Sequence, residues 1–421
     1  MLLPVGTEVD LPMIPPLDKV SVPNISAFLV CTLIIGKRIP LMPKDRNTRG
    51  LMLLYVVSPF VTALLNGDAV VAGPLFIAGM NSYDALSAVI RQMLFILPFL
   101  MGMQFFKTEK SLEEILQVLV IAAMWYSIPM LLEIRLSPQL HRWVYGYFPH
   151  SFLQQMRDGG FRPVVFIGHG LWVAFFTMMA LVASVTLWCI RQKSIRSLQN
   201  RWVVSYLFVL LLLCKSMASF VYGSFLLILV RFAKPKTQLR IATIMVVIAL
   251  TYPLSRGLGL FPVQIISDLA ATISTDRVQS FNFRVENEDR LLDKTEYRPL
   301  FGWGTWGRNR VYDSDTGKDI TVTDGRWIQV MSQFGWVGLV AEFGLLALPV
   351  FRCARLFRRV TERREAVVLA SITLIMAISI LDLLPNNTMS PLTWLIAGAL
   401  LSRVNRLQET VQRPSNQKVR A

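Results

Sequence analysis

The sequence predicts an all-α polytopic membrane protein of about eleven transmembrane helices with a small ordered loop subdomain on one face. Three observations carry this. The 421 residues are 53% hydrophobic and only 17% charged, with a mean hydropathy of +0.49, too apolar for an ordinary soluble chain of this length. Apolar runs near or above the length needed to cross hydrocarbon recur along the whole chain. The polar joints between them are short and rich in Arg and Lys, as cytoplasmic loops are.

The runs fall at residues 22–35, 51–65, 88–106, 115–132, 164–190, 202–214, 219–232, 241–254, 328–351, 366–384 and 391–404. Joints at 37–49, 191–201, 231–240 and 352–364 hold several cations and very few carboxylates, so they belong on the cytoplasmic side. Alternation then places 66–86, 133–163, 255–327 and 382–390 on the opposite face, with the N-terminus outside and the C-terminus inside. Segment 69–80 is apolar but short and broken by Gly73 and Pro74. It reads as a re-entrant piece, and an even number of spans would invert the N-terminal side. The chain thus divides into an N-terminal helix bundle (1–254), a large outer loop (255–327), C-terminal transmembrane helices (328–404) and a cytoplasmic tail (405–421). The tail is polar from Gln408 onward and is expected to fray.

The net charge of +16 sits largely in the joints, so topology accounts for it without a nucleic-acid partner. Glu8, Asp10 and Asp18 precede the first apolar run where a cleavable leader would be basic, so the N-terminus is expected to be retained. Cys31, Cys189, Cys214 and Cys353 have no close cysteine neighbours, and only His141, His150 and His169 supply imidazole. Neither a disulfide framework nor a His/Cys metal centre is expected; metal chemistry would need carboxylates.

The outer loop 255–327 spans about seventy residues, far beyond an ordinary connection, and such loops commonly carry function. Within it 286–298 reads as a helix stopped by Pro299. Acidic Glu286, Asp289, Asp293 and Glu296 form one stripe and basic Arg290, Lys294 and Arg298 another, neither of them apolar. Segment 309–323 reads as a hairpin around the tip Asp313-Ser314-Asp315-Thr316-Gly317-Lys318. Its alternating aspartates lack the spacing and terminal Glu of a calcium loop, which favours a turn.

Chemistry-bearing side chains concentrate between Arg284 and Trp327: Arg284, Arg290, Arg298, Arg308, Arg310 and Asp324, with Gly302-Trp303-Gly304 among them. Guanidinium forks match diphosphate oxygens, although arginines on a solvated loop also simply balance carboxylates. Gly302-Trp303-Gly304 fits a sharp turn with an interfacial indole. Asp324 stands where the loop re-enters the bilayer, a place for a general base, and also where a helix N-cap would fall. Among boundary charges, Lys215 lies at the outer hairpin between two spans, where it can meet a phosphate or snorkel. His169 lies between glycines at the mouth of another span, where close helix packing is the plain alternative to a substrate role.

At these residues the chain resembles the O-antigen ligase and O-antigen polymerase superfamily. Phe283-Arg284, followed by Arg298-Pro299-Leu300-Phe301-Gly302-Trp303-Gly304, is similar to that family's arginine and Pro-Leu-Phe-Gly-x-Gly turn. Ser332-Gln333-Phe334-Gly335-Trp336-Val337-Gly338-Leu339 resembles its re-entering helix. Weaker echoes are Arg157-Asp158-Gly159-Gly160-Phe161-Arg162-Pro163 and Lys215-Ser216. In one departure, ligases of the family carry His-Asn where this chain has Asp324-Gly325.

The resemblance implies a GT-C-like glycosyltransferase of the bacterial cell inner membrane with its large loop in the periplasm. It implies an undecaprenyl-diphosphate-linked glycan as donor, a glycan or lipid as acceptor, and no cofactor, nucleotide sugar or required metal. Arg284 and Arg290 would stabilise the departing diphosphate and Asp324 would take the acceptor's proton. Arg162, His169, Lys215, Arg298, Trp303, Arg308 and Arg310 would bind substrate among membrane lipid. The rival reading is a polysaccharide-related flippase or other secondary transporter, whose sites lie on broken helices near the bilayer midplane. A sensor or scaffold that binds glycan without turning it over is a further alternative.

Overall fold

Each of the eleven apolar runs contains a helix in the computed structural model, which describes residues 3–10, 15–157, 159–195, 198–272 and 275–417. Asp158 and the last four residues of the tail lie outside the described residues. Ahead of the large loop come α1 (Ser21–Leu29, continued by a π-turn at Val30–Ile34), α2 (Arg46–Leu64), α3 (Ser82–Phe105) and α4 (Glu109–Leu136). A short α5 (Leu140–Tyr145) is followed by α6 (Gly170–Cys189), α7 (Asn200–Leu213), α8 (Met217–Phe232) and α9 (Pro235–Gly257). The loop holds α10 (Val263–Ala271) and α11 (Thr275–Glu296), and α12 (Arg326–Leu356), α13 (Arg363–Asp382) and α14 (Pro391–Gln417) complete the chain. Helix starts follow local chemistry: Asp45 accepts from Thr48 N, Asn81 and Thr108 form capping boxes, and proline opens α9.

Among the described residues six helices, α3, α4, α6, α9, α12 and α13, are long and apolar enough to cross a membrane; α1, α7 and α8 are shorter apolar helices. Burial sorts them. The apolar windows of α6 and α13 are 89% and 83% buried, so these two lie at the centre, as helices apolar all round must. Those of α4 and α9 are 44% and 39% buried, and their outer faces carry stripes such as Val118, Ile121, Trp125 and Ile128. In water such stripes would be aggregation surfaces; hydrocarbon covers them at no cost. One core runs from Ile39 to Val404, so helices before and after the large loop pack together.

Ion pairs tie the cationic joints at one end: Arg352 to Asp45 at 2.6 Å, Arg364 to Glu113, and Arg403 to Glu365. At the other end lie the large loop and two small hairpins. Segment 69–80, expected to be re-entrant, is instead a β-hairpin, β1 (Val70–Ala72) with β2 (Leu75–Ile77), paired Val70↔Ile77. Its β-branched alternation and the Gly73-Pro74 turn favour this over a short helix. The second hairpin joins β3 (Met156–Arg157) to β4 (Gly160–Phe161).

The loop is ordered through polar contacts, some within it and others to residues 62–78. The helix expected at 286–298 begins earlier, as α11, and buries neither charged stripe. Its inward face is Asn287, Glu288, Leu291 and Thr295. The expected hairpin at 309–323 closes on a single bridge, Tyr312↔Asp319. Asp313 fills its tip, accepting from Thr316 N and Thr316 Oγ1 at 2.8 and 2.7 Å, and Gly317 rests against Ala72 of the first hairpin.

Candidate functional site at the outer ends of α8, α11, α12 and α13

The entrance to α12 is stitched to the exit of α13. Arg326 N donates to Leu383 O at 2.9 Å and to Asn386 O at 3.3 Å, and Trp327 N to Leu383 O at 3.4 Å. These bonds satisfy helix donors that a capping side chain would otherwise take. The N-cap is Gly325, with no side-chain cap, and a Cβ there would fall 2.1 Å from Leu384 O. Asp324 is therefore not the cap. Its Oδ2 lies 3.5 Å from Arg284 Nε, with the two side chains 39% and 35% exposed.

Arg284 reaches that point because α11 is anchored one turn further on. Residues 284, 288, 291 and 295 share one helical face. Glu288 on that face is a buried hub that accepts from Tyr252 Oη (2.9 Å) and Arg256 Nε (3.3 Å) of α9 and from Trp327 Nε1 (3.2 Å) of α12. Burial pushes the Glu288 carboxyl above its ordinary value, and the three donors work against that rise. Arg256 also reaches Asp289 at 2.6 Å. Three helices are thereby fixed around one carboxylate, with Arg284 next along it.

A second carboxylate stands behind the pair. Asp382, at the last turn of α13, is 2% exposed and accepts from Asn386 Nδ2 at 2.9 Å and Thr388 Oγ1 at 2.8 Å. Arg284 is within electrostatic reach of it and of Tyr222 on α8. Sequence reasoning passed over Asp382, Glu288 and Arg256. Asp382 was detectable as an ionisable residue at the end of an apolar run. Glu288 was not, because its burial depends on how α11 rotates.

The two sharpest motifs meet at a break in α12. Gly335 is non-helical there, with φ 63° and ψ −163°. The loop turn fills the gap: Pro299 O accepts from Trp336 N (2.8 Å) and Leu300 O from Val337 N (3.1 Å), while Trp303 N and Gly304 N donate to Ser332 O and Gln333 O, both at 2.9 Å. The end of α2 braces the same turn through Thr62 Oγ1 to Phe301 O at 2.6 Å and Asn66 Nδ2 to Gly302 O at 3.0 Å. These motifs therefore serve as a backbone clamp.

Most of the other candidate arginines are engaged in holding the loop. Arg298 grips Asp68 with both oxygens at 2.8 and 2.9 Å and stacks 4.2 Å from the Trp303 ring, whose Nε1 donates to Lys294 O at 2.8 Å. Burial raises the Asp68 carboxyl, but hydrogen bonds and charge from Arg298 outweigh it and hold the group below its ordinary value. Arg308, 1% exposed, donates to Ala78 O and Asp68 O, both at 2.8 Å. Arg290 bonds Glu286 and Ile320 O, and Arg310 pairs with Asp319. These four and Trp303 sit as fasteners of the cap, and among the described residues of the loop Arg284 is the arginine that meets Asp324.

Arg162, His169 and Lys215 form a separate cluster beside the start of α8. Arg162 Nη2 donates to Lys215 O and Lys215 Nζ to Arg157 O, both at 2.9 Å, which brings the two weaker motif echoes into contact. His169 is the N-cap of α6, its Nδ1 accepting from Leu171 N at 3.1 Å. Among the described residues no group of three His, Cys, Asp or Glu side chains is placed to hold a metal ion.

No protein-family model matches this chain, and comparison with curated proteins finds no relative. What the fold defines is a class: a mostly helical membrane protein, 68% helix, with six candidate spans.

Proposed function

We propose that the chain is a membrane glycosyltransferase of the bacterial inner membrane, acting at the periplasmic face in surface polysaccharide (O-antigen or exopolysaccharide) biosynthesis. Its donor is an undecaprenyl-diphosphate-linked glycan and its acceptor a second lipid-linked glycan or a lipid. All eleven apolar helices are spans in this reading, with the loop 255–327 outside. The observation that carries it is the pairing of Arg284 with Asp324 at 3.5 Å, on an accessible edge, with Asp324 excluded from capping.

In the substrate-free protein each group is the other's counterion. A diphosphate arriving at Arg284 replaces the carboxylate as its partner and releases Asp324 to act as base. The acceptor hydroxyl gives its proton to Asp324 and its oxygen bonds to the anomeric carbon. The bond from that carbon to the diphosphate breaks, and the leaving oxygen takes the electron pair under the Arg284 charge. Buried Asp382 and half-buried Tyr222 lie within electrostatic reach of Arg284. The break in α12 resembles the discontinuous helices of transporters, but its freed groups are bound by residues 299–304, which favours a transferase over a transporter.

The reading is tested by transfer of labelled glycan from its lipid diphosphate in membranes carrying Arg284→Ala or Asp324→Asn. Each substitution is expected to lower the rate roughly 10²- to 10⁴-fold at unchanged protein abundance. Wild-type product length and rate in both would overturn it.

A further inference from the structure

At the opposite end of the bundle, a cavity of about 1000 Å³ opens between the joint that follows α6 and the starts of α7 and α13. Arg191, Lys193, Arg201, Arg231 and Arg363 line it, with Glu362 as the only carboxylate among the lining residues. Three other cations at this end are paired with carboxylates: Arg352 with Asp45, Arg403 with Glu365, and Arg364, at the cavity's own edge, with Glu113. Among the described residues none of the five forms an ion pair. Positive-inside topology explains why cations are here; it does not explain a concave surface that leaves five of them unpaired.

Two further features give the cavity a chemical identity. Arg231 stacks 5.1 Å from the Trp188 ring and 5.4 Å from Phe232, which holds a guanidinium at the rim. A second cavity of about 680 Å³ adjoins the first through Lys193, which lines both. Its other wall is the apolar, outward face of α4, with Ile121, Met124 and Trp125, the last 73% exposed. A basic bowl joined to an apolar trench on a membrane-facing helix matches an amphiphile. It has more apolar surface than a free anion needs.

We propose that these two cavities hold one anionic phospholipid, its phosphate among Arg201, Arg231 and Arg363 and an acyl chain along α4. The site rests on the membrane class of the fold and is independent of the outer transferase reading.

The test is native mass spectrometry of the purified full chain titrated with phosphatidylglycerol, with phosphatidylcholine, and with glycerol phosphate as the headgroup without chains. Phosphatidylglycerol is expected to bind in preference to both. Arg363→Gln is expected to weaken it about fivefold, and the triple Arg201→Gln, Arg231→Gln, Arg363→Gln on the order of 100-fold, near fivefold per charge. The single variant carries the test if the triple does not fold. Equal retention of phosphatidylcholine, or an unchanged affinity in Arg363→Gln, would overturn the site. Glycerol phosphate binding as tightly as the lipid would overturn the lipid assignment and leave a free-phosphate site.

Discussion

At the scale of single residues, the consequential groups are carboxylates that the fold withdraws from water and then partners. Glu288 is the clearest case, because Arg256, Tyr252 and Trp327 all spend a donor on it. Removing it leaves a guanidinium that is only 5% exposed with Asp289 as its remaining carboxylate. Glu288→Ala is therefore expected to cost about 3–5 kcal/mol, and Glu288→Gln clearly less, read as the fall in Tm of the purified protein. Equal Tm for all three would show that the hub does not hold α9, α11 and α12 together. The arginines that stood out in sequence illustrate why residue type alone is a poor guide to role. Arg298 and Arg308 have the chemistry of phosphate binders, yet the neighbourhood supplies Asp68, Leu65 O and Ala78 O to them first. That neighbourhood comes from residues more than two hundred positions away, and no local pattern announces it.

At the scale of elements, helix existence was legible because apolar runs recur along the chain, and several are bounded by capping residues or cationic joints. Irregular segments were less so. The 69–80 hairpin was read as re-entrant because a short apolar run has no period long enough to separate strand from helix. The Pro299–Gly304 turn and the α12 break show a motif whose sequence was legible and whose job was not: each half supplies the hydrogen bonds the other lacks. A Cβ on Gly335 would come within 2.4 Å of Leu300 backbone atoms, at a φ of 63°. Gly335→Ala is thus expected to destabilise by about 2–4 kcal/mol, measured by thermal unfolding, and full wild-type stability would contradict the clamp. The same turn is latched by Arg298 on Asp68, whose folded-state value is depressed. Stability from such a carboxylate is complete above its ordinary value of 3.8 and is lost as pH falls through the lower folded value. Asp68→Asn is accordingly expected to speed proteolysis of the 305–322 segment at neutral pH, with the gap from wild type closing in acid. A gap that persists unchanged in acid would contradict the latch.

At the scale of the whole molecule, the membrane class was legible from composition and the two-ended charge pattern. The joints expected on the cytoplasmic side lie together at one end, and the large loop lies at the other with both hairpins. With eleven spans, the N-terminus belongs at the loop end. In a cysteine-free background, Thr7→Cys and Ser314→Cys are expected to react with a membrane-impermeant thiol reagent in intact cells, and Arg359→Cys only after permeabilisation. Labelling of Thr7→Cys together with Arg359→Cys would show an even number of spans.

The proposed transferase reading turns on whether the Arg284–Asp324 contact does chemistry or merely fastens α11 to α12. A charge-swapped double variant, Arg284→Asp with Asp324→Arg, separates the two, because it restores an ion pair while exchanging the proposed base and the proposed diphosphate ligand. Glycan transfer in this variant is the deciding measurement. The expected result is recovery of the membrane abundance and Tm lost in either single reversal, with transfer still absent. Transfer returning along with stability would make the contact a fastener and contradict the catalytic assignment.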